Sequence, residues 1–154
     1  MTWGAPTADP DAWRSDVRAF RQAAADGPWG IVWAAGAATV SSSDADAAAE
    51  LATMNALLLA LRSDPPGGSG AFFLTSSAGG VYAGSASPPF SEATMPCPVS
   101  AYGQLKLQQE AAASEALAGT CPVVIGRISN LYGPGQNLGK LQGLLVAICG
   151  DILH

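Results

Sequence analysis

The residues best suited to chemistry in this chain are a tyrosine and a lysine four positions apart, Tyr102 and Lys106. Residues at i and i+4 lie on one face of an α-helix, so a helix here would hold the phenol and the ammonium side by side. A cation beside a phenol favours the phenolate, which lowers a pKa that is otherwise about 10. The pair therefore predicts a tyrosine that can take or give a proton near neutral pH.

Composition argues against several other kinds of site. Only 12% of the 154 residues are charged and the net charge is -5, so the basic patch that nucleic-acid binding needs is not expected. The only histidine is His154, and Cys97, Cys121 and Cys149 form no CxxC pair, so neither a metal site nor a histidine-based catalyst is expected. Three free thiols are typical of a reducing cytoplasm. Polar residues after Met1 give no sign of a signal peptide, and no apolar run reaches the roughly 18 residues of a membrane span.

Hydrophobic spacing around the pair predicts alternating helices and short, buried strands. We expect helices at 11–25, 47–61, 100–117 and 138–148, and strands at about 30–35, 71–76 and 122–128. This alternation indicates a parallel sheet with right-handed crossovers. The fold class is therefore α/β, as one partial Rossmann-like domain over residues 1–154, with three layers, about three parallel strands and a loop-like start at 1–10. Asp9 or Asp11 is expected to cap the first helix and Ser100 the third.

A loop rich in glycine, proline and small polar residues, 78–99, separates the second strand from the helix that carries Tyr102. Its composition and its position before the Tyr-x-x-x-Lys pair favour a functional loop over a linker.

Several further motifs follow one another in a defined order. They are Ala34-Ala35-Gly36 at the end of the first strand, Asn55 in the next helix, Thr75-Ser76-Ser77 and then Val81-Tyr82 after the second strand, Ser91-Glu92 and Pro98 before Tyr102-x-x-x-Lys106, and Arg127-Ile-Ser-Asn130-Leu-Tyr-Gly-Pro-Gly-Gln136 after the third. As an ordered set they resemble the extended short-chain dehydrogenase/reductases, specifically the NAD-dependent sugar-nucleotide epimerases and dehydratases. The resemblance covers residues 11 to 148.

The resemblance implies a role for each motif. Tyr102 would be the general acid/base at the sugar hydroxyl, Lys106 would hold the nicotinamide ribose, and Ser77 would bind the same substrate oxygen while a hydride passes to NAD and back. Ser76 is the alternative serine. A substrate contact is implied for Asn130 as well as Ser77. Cofactor contacts are implied for Ala34, Ala35, Gly36, Asn55, Ser76, Tyr102, Lys106 and Ser129. The implied partners are a nucleotide sugar and a second copy of the chain.

The resemblance lacks the family's opening motif. In the family, a first strand leads into Gly-x-x-Gly-x-x-Gly and a helix whose N-terminus holds the cofactor pyrophosphate, and no such motif precedes Trp29. We therefore expect a central segment of such a protein, with little or no NAD binding by this chain alone. Two interpretations stay open: a truncated NAD-dependent epimerase or dehydratase, and a catalytically silent remnant that acts as an assembly or binding module.

The missing first strand also predicts self-association. It would leave the strand at 31–34 with an unpaired apolar edge. We expect a dimer formed through that edge or through the helices at 47–61 and 100–117.

Other polar groups have simpler explanations. Asp44, Asp46 and Glu50 are interpreted as residues of a capped helix start rather than as paired carboxylates. Asn55 is as well suited to bridging backbone groups as to touching a cofactor, and Asn130 has an adequate explanation in a turn. The segment 133–140 has glycines and a lysine but not the spacing of a phosphate-binding P-loop.

Overall fold

The computed structural model describes residues 7–129 and residue 131. Its helices and strands, in chain order, are α1 (Pro10–Ala24), β1 (Trp29–Trp33), α2 (Asp44–Ser63), β2 (Gly70–Ser77), α3 (Ala78–Val81), α4 (Ala101–Ala116) and β3 (Val123–Ile128). None of the helices in these ranges has the length and hydrophobicity to cross a membrane. The helix expected at 138–148 lies outside the described residues.

The three strands form one parallel sheet in the order β1-β2-β3, which confirms the α/β fold with a three-stranded parallel sheet. In the register, Leu74 of β2 stands beside Trp33 of β1 and beside Ile125 of β3. Parallel neighbours need a long crossover, and α2 and α4 supply it for the two strand pairs. The carboxyl ends of all three strands therefore meet at one edge of the sheet.

The hydrophobic core lies on one face of the sheet. Side chains alternate along a strand, so Phe72 and Leu74 share a face, and both are fully buried. The helices supply the remaining core residues, among them Trp13 and Val17 of α1, Met54, Leu57 and Leu58 of α2, and Ala113 of α4. On the opposite face Val32 is 66% and Val124 48% exposed. In the described part of the chain, helices thus cover one face only.

Two boundaries differ from the sequence expectation for local reasons. Helix α2 starts at Asp44 rather than residue 47, because Ser43 is its N-cap and forms a capping box with Asp46. Strand β1 ends at Trp33, so Ala34 and Ala35 belong to the following loop. Of the two candidates for the first cap, Asp9 caps α1, and Ser100 caps α4 as predicted.

The loop predicted at 78–99 begins with a helical turn. Ser77 ends β2 and also caps α3, since its hydroxyl accepts a hydrogen bond from the Gly80 amide. Gly80 and Gly103 let α3 pack closely on α4, because a Cβ on Gly103 would collide with the Gly80 carbonyl oxygen. This close approach places the end of β2 beside the start of α4, where Tyr102 lies.

Candidate active site

The Tyr102–Lys106 pair lies at the start of α4, on one face of the helix. The Ser100 hydroxyl accepts a hydrogen bond from the Gly103 amide and so fixes the first turn. The Lys106 Nζ lies 5.4 Å from the centroid of the Tyr102 ring, within the range of a cation–π contact. Tyr102 is half-buried, whereas only 7% of Lys106 is exposed. The pair therefore combines a phenol that reaches a cavity with an ammonium held inside the protein.

The Lys106 ammonium is held by two side chains, and together the three form what we name the lysine cluster (Glu50, Lys106 and Gln109). Nζ donates to Gln109 Oε1 at 2.9 Å and to Glu50 Oε1 at 3.4 Å. An ammonium has three N–H donors. Among the described residues these two acceptors account for two of them, so one donor is left for a further acceptor.

The expectation that Glu50 is simply part of a capped helix start is wrong. Its side chain is 9% exposed, and its second oxygen accepts hydrogen bonds from the Ala37 and Ala38 amides, both at 3.0 Å. A sequence signal for this was present: Glu50, Met54 and Leu57 are spaced as one face of a helix, and the latter two are buried. A glutamate in line with a buried stripe indicates a buried partner.

A cavity of about 710 Å³ opens beside Tyr102 at the carboxyl ends of the strands. This edge is the usual ligand site of an open α/β sheet. Ser77 and Ser129, both proposed from sequence, line it together with Tyr102. The remaining lining residues are Ala38, Thr39, Val40, Thr75, Ser76, Gly79, Gly80, Ile128 and Leu131.

A second cavity, of about 790 Å³, lies under the loop that follows β1. Ala34, Ala35 and Gly36 line it, as does Glu50. Ala38 borders both cavities, so the two adjoin at that residue. Gly36 has a φ of 149°, which an L side chain rarely adopts, and a Cβ there would lie 2.5 Å from Glu50 Oε1. Only glycine allows this loop to close over the carboxylate.

The two candidate serines point to opposite faces of the sheet. Ser76 is 4% exposed and its hydroxyl donates to Glu110 Oε1. Ser77 is half-buried, faces the other way and lines the cavity with Tyr102. The alternation of a strand thus separates the neighbours. Both border the Tyr102 cavity, but the Ser76 hydroxyl donates its proton to Glu110, whereas the Ser77 hydroxyl accepts from the Gly80 amide.

A second polar group, which the sequence did not reveal, ties α4 to β2 and β3. We name it the arginine network (Ser76, Tyr82, Glu110 and Arg127). Arg127 binds Glu110 in a bidentate manner, with Nε 3.0 Å from Oε1 and a terminal nitrogen 2.6 Å from Oε2. The other terminal nitrogen donates to the Tyr82 hydroxyl, which donates in turn to the Ser91 carbonyl at 2.9 Å. The hydrogen bonds to Glu110 are the main reason why the pKa of Arg127 lies above its ordinary value.

Other sequence candidates lie away from these cavities. Asn55 is exposed on α2 and lines neither cavity, and Asn130 lies outside the described residues. Over 7–129, no three histidine, cysteine, aspartate or glutamate side chains are grouped to hold a metal ion.

A parallel sheet with crossover helices, whose strand ends open onto two adjoining cavities, defines a Rossmann-like α/β domain. The sequence model of the NAD dependent epimerase/dehydratase family matches residues 12–154, and the chain belongs to that family. No curated protein sequence matches it.

Solved structures agree on the fold. UDP-glucose 4-epimerase from Thermotoga maritima, solved with UDP-glucose, has a TM-score of 0.77 and 21% identity over 95% of this chain and 46% of its own. UDP-glucose 4-epimerase from Thermus thermophilus, in complex with NAD, has a TM-score of 0.70 and 22% identity over 96% of this chain and 45% of its own. An NAD-dependent NDP-hexosamine 5,6-dehydratase of tunicamycin biosynthesis has a TM-score of 0.64 and 24% identity over 86% of this chain and 43% of its own. The chain spans less than half the length of each of these structures.

Proposed function

We propose that this chain carries the proton-transfer part of an NAD-dependent sugar-nucleotide epimerase or dehydratase site. The observation that carries the proposal is the convergence of Tyr102 and Ser77 on one cavity at the strand ends, with the Lys106 ammonium against the tyrosine ring. A phenol, a hydroxyl and a cation in this arrangement suit the removal of a proton from a sugar hydroxyl. The proposed unit is a single domain.

Each residue has a separate role in the proposal. Ser77 donates a hydrogen bond to the sugar oxygen and orients it, and the Tyr102 phenolate takes the proton from that oxygen. The Lys106 ammonium, 5.4 Å from the ring centroid, places a positive charge beside the tyrosine. NAD, when bound, supplies the hydride acceptor and the later hydride donor.

The described residues fit the nicotinamide end of NAD better than its pyrophosphate end. Within this part of the chain Lys106 keeps one N–H donor for a ribose hydroxyl, and Ser129 lines the cavity beside Tyr102. Over 7–129 no glycine-rich turn joins a strand to a helix N-terminus, the arrangement that binds pyrophosphate. We therefore expect weak NAD binding by this chain alone.

Saturation-transfer NMR with NAD at millimolar concentration detects such weak binding. We expect transfer to the nicotinamide-ribose protons of the wild type, and loss of most of it in Lys106→Met. Arg62→Met, which removes an exposed cation from the end of α2, is the matched control and should behave as the wild type.

The proposal fails if the wild type shows no transfer, or if Lys106→Met and Arg62→Met give the same signal as the wild type. Tight 1:1 binding in calorimetry would contradict the weak-binding expectation and would indicate a pyrophosphate site elsewhere in the chain.

A second candidate function is that of an assembly module. Cys97 and Cys121 are free thiols, which is the state expected in a reducing cytoplasm. The assembly module is favoured by the exposure of Val32 and Val124 on one sheet face, and by β1, whose outer edge pairs with no other described strand. We expect a dimer in light scattering. A species that stays monomeric at high concentration would count against this candidate.

A further inference from the structure

The Glu50 carboxylate makes four hydrogen bonds, two on each oxygen. Oε2 accepts from the amides of Ala37 and Ala38, and Oε1 accepts from Lys106 Nζ and from Gln109 Nε2, the last at 3.2 Å. A carboxylate has about four lone-pair sites for acceptance. Its capacity is therefore fully used, by two donors from the loop after β1 and two from α4.

The loop is shaped to this carboxylate. Ala37 and Ala38 present consecutive amides to one oxygen, which requires the chain to turn at Gly36, and the missing Cβ of Gly36 leaves the space that Glu50 fills. A methyl group at position 36 would force the carboxylate away from Lys106 or the loop away from α2. The contact between Glu50 and the loop thus depends both on the carboxylate and on the glycine at position 36.

Stability alone does not explain a buried carboxylate at this position. Burying an ion pair costs desolvation that the attraction between the charges often does not recover, and the Lys106–Glu50 separation of 3.4 Å is long. A methionine or leucine at position 50 would continue the apolar stripe of α2 without that cost. What the carboxylate adds is a fixed direction for the ammonium and a link from the ammonium to the loop.

We propose that Glu50 is a positioning residue that orients Lys106 and couples its orientation to the loop 36–38, which borders both cavities. The importance of this coupling for catalysis rests on the proposed function. Order in the loop then holds the third N–H donor of Lys106 in one direction, and a ligand that orders the loop also orders the lysine.

The first test observes the lysine directly. The chain has two lysines, Lys106 and Lys140, so a spectrum of nitrogen-labelled lysine side chains contains two ammonium signals, assigned with Lys140→Arg. A buried, hydrogen-bonded ammonium exchanges its protons slowly and gives a sharp signal. In Glu50→Gln, which keeps the size of the side chain, we expect the Lys106 signal to broaden or disappear.

The second test observes the loop. Hydrogen exchange at the Ala37 and Ala38 amides should be about tenfold faster in Glu50→Gln than in the wild type. Coupling makes a further prediction: Lys106→Met, which leaves the bonds from Glu50 to the loop intact, should also speed exchange at these two amides. Glu115→Gln removes an exposed carboxylate from the end of α4 and should change neither readout.

The outcomes separate this inference from the proposed function, because neither measurement needs a cofactor. An unchanged Lys106 signal in Glu50→Gln overturns the positioning role. Faster exchange in Glu50→Gln but not in Lys106→Met overturns the coupling, since Glu50 would then only cap the loop. If Glu50→Gln does not fold by circular dichroism, the exchange rates of Lys106→Met decide the coupling alone. Absence of NAD binding would count against the proposed function without altering these results.

Discussion

Helix α4 carries two polar groups on neighbouring turns, the lysine cluster and the arginine network, and they are built differently. In the arginine network a planar guanidinium meets Glu110 through two parallel contacts, and Tyr82 and Ser76 take up further hydrogen-bonding positions. In the lysine cluster a single 3.4 Å contact joins Lys106 to Glu50. The described residues supply acceptors for two of the three ammonium N–H donors, and one donor is left over.

The difference separates a group that ties several segments together from a group that keeps a hydrogen-bond donor. The first group also borders a cavity of about 700 Å³, through Tyr82, Glu110 and Arg127. The arginine network joins β2, α4, β3 and the loop after α3, so its loss would loosen four segments at once. The lysine cluster lies where the loop after β1 meets α4, and its Glu50 lines the cavity under that loop. Short, bidentate contacts hold two charged groups in one geometry, and an available ammonium donor can bind a further acceptor.

The largest predicted effect tests the structural half of the comparison. Glu110→Ala leaves the Arg127 guanidinium without its main partner, and we expect a loss of about 3 kcal/mol in the free energy of unfolding, measured with urea. Glu115→Ala, an exposed change on the same helix, should cost less than about 0.5 kcal/mol. Equal costs for the two variants would mean that the network does not hold the fold.

The next effect concerns the lysine cluster. Lys106→Met should cost about 2 kcal/mol, less than Glu110→Ala, because Glu50 keeps its two loop amides and Gln109 as partners. The same urea series measures it. A cost as large as that of Glu110→Ala would remove the distinction between the two groups.

Neighbouring serines sharpen the comparison further. Ser76→Ala removes a hydrogen bond to the Glu110 carboxylate, and we expect a loss of about 1.5 kcal/mol in stability. Ser77→Ala should leave stability within about 1 kcal/mol of the wild type, because it removes only the cap of a short helix. Saturation transfer from the protein to a UDP-sugar should show the reverse order, with the larger loss in Ser77→Ala. A larger loss in Ser76→Ala would assign the substrate contact to Ser76.

The smallest predicted effect on stability comes from Asp46, an exposed carboxylate in the capping box of α2. Hydrogen bonds from the Ser43 hydroxyl and amide hold the pKa of Asp46 below its ordinary value of 3.8. Because the folded-state pKa is depressed, the stabilisation is present above 3.8 and is lost as the pH falls through the folded-state value. The difference in melting temperature between the wild type and Asp46→Asn should shrink as the pH is lowered below 3.8. A difference that is constant with pH would contradict the assignment.

Local sequence determined the elements and much of what lies within them. The strand at 71–76 and the helix that carries Tyr102 follow from apolar runs, turn residues and caps such as Ser100, all of which act over a few positions. The proximity of Tyr102 to Lys106 is likewise a property of one helix. The start of α2 at Asp44 was missed because the sequence did not show which of several polar residues would be the cap.

Tertiary structure alone decided the partners of these elements. The alternation of a strand puts Ser76 and Ser77 on opposite faces, but the helices decide which face is buried and hence which serine meets Glu110. Glu50 and Lys106 are 56 positions apart, and Glu110 and Arg127 are 17 apart. Their hydrogen bonds form only when α2 and β3 pack beside α4. A hydrogen bond depends on a few tenths of an ångström, and the packing of the whole sheet and its helices sets that distance.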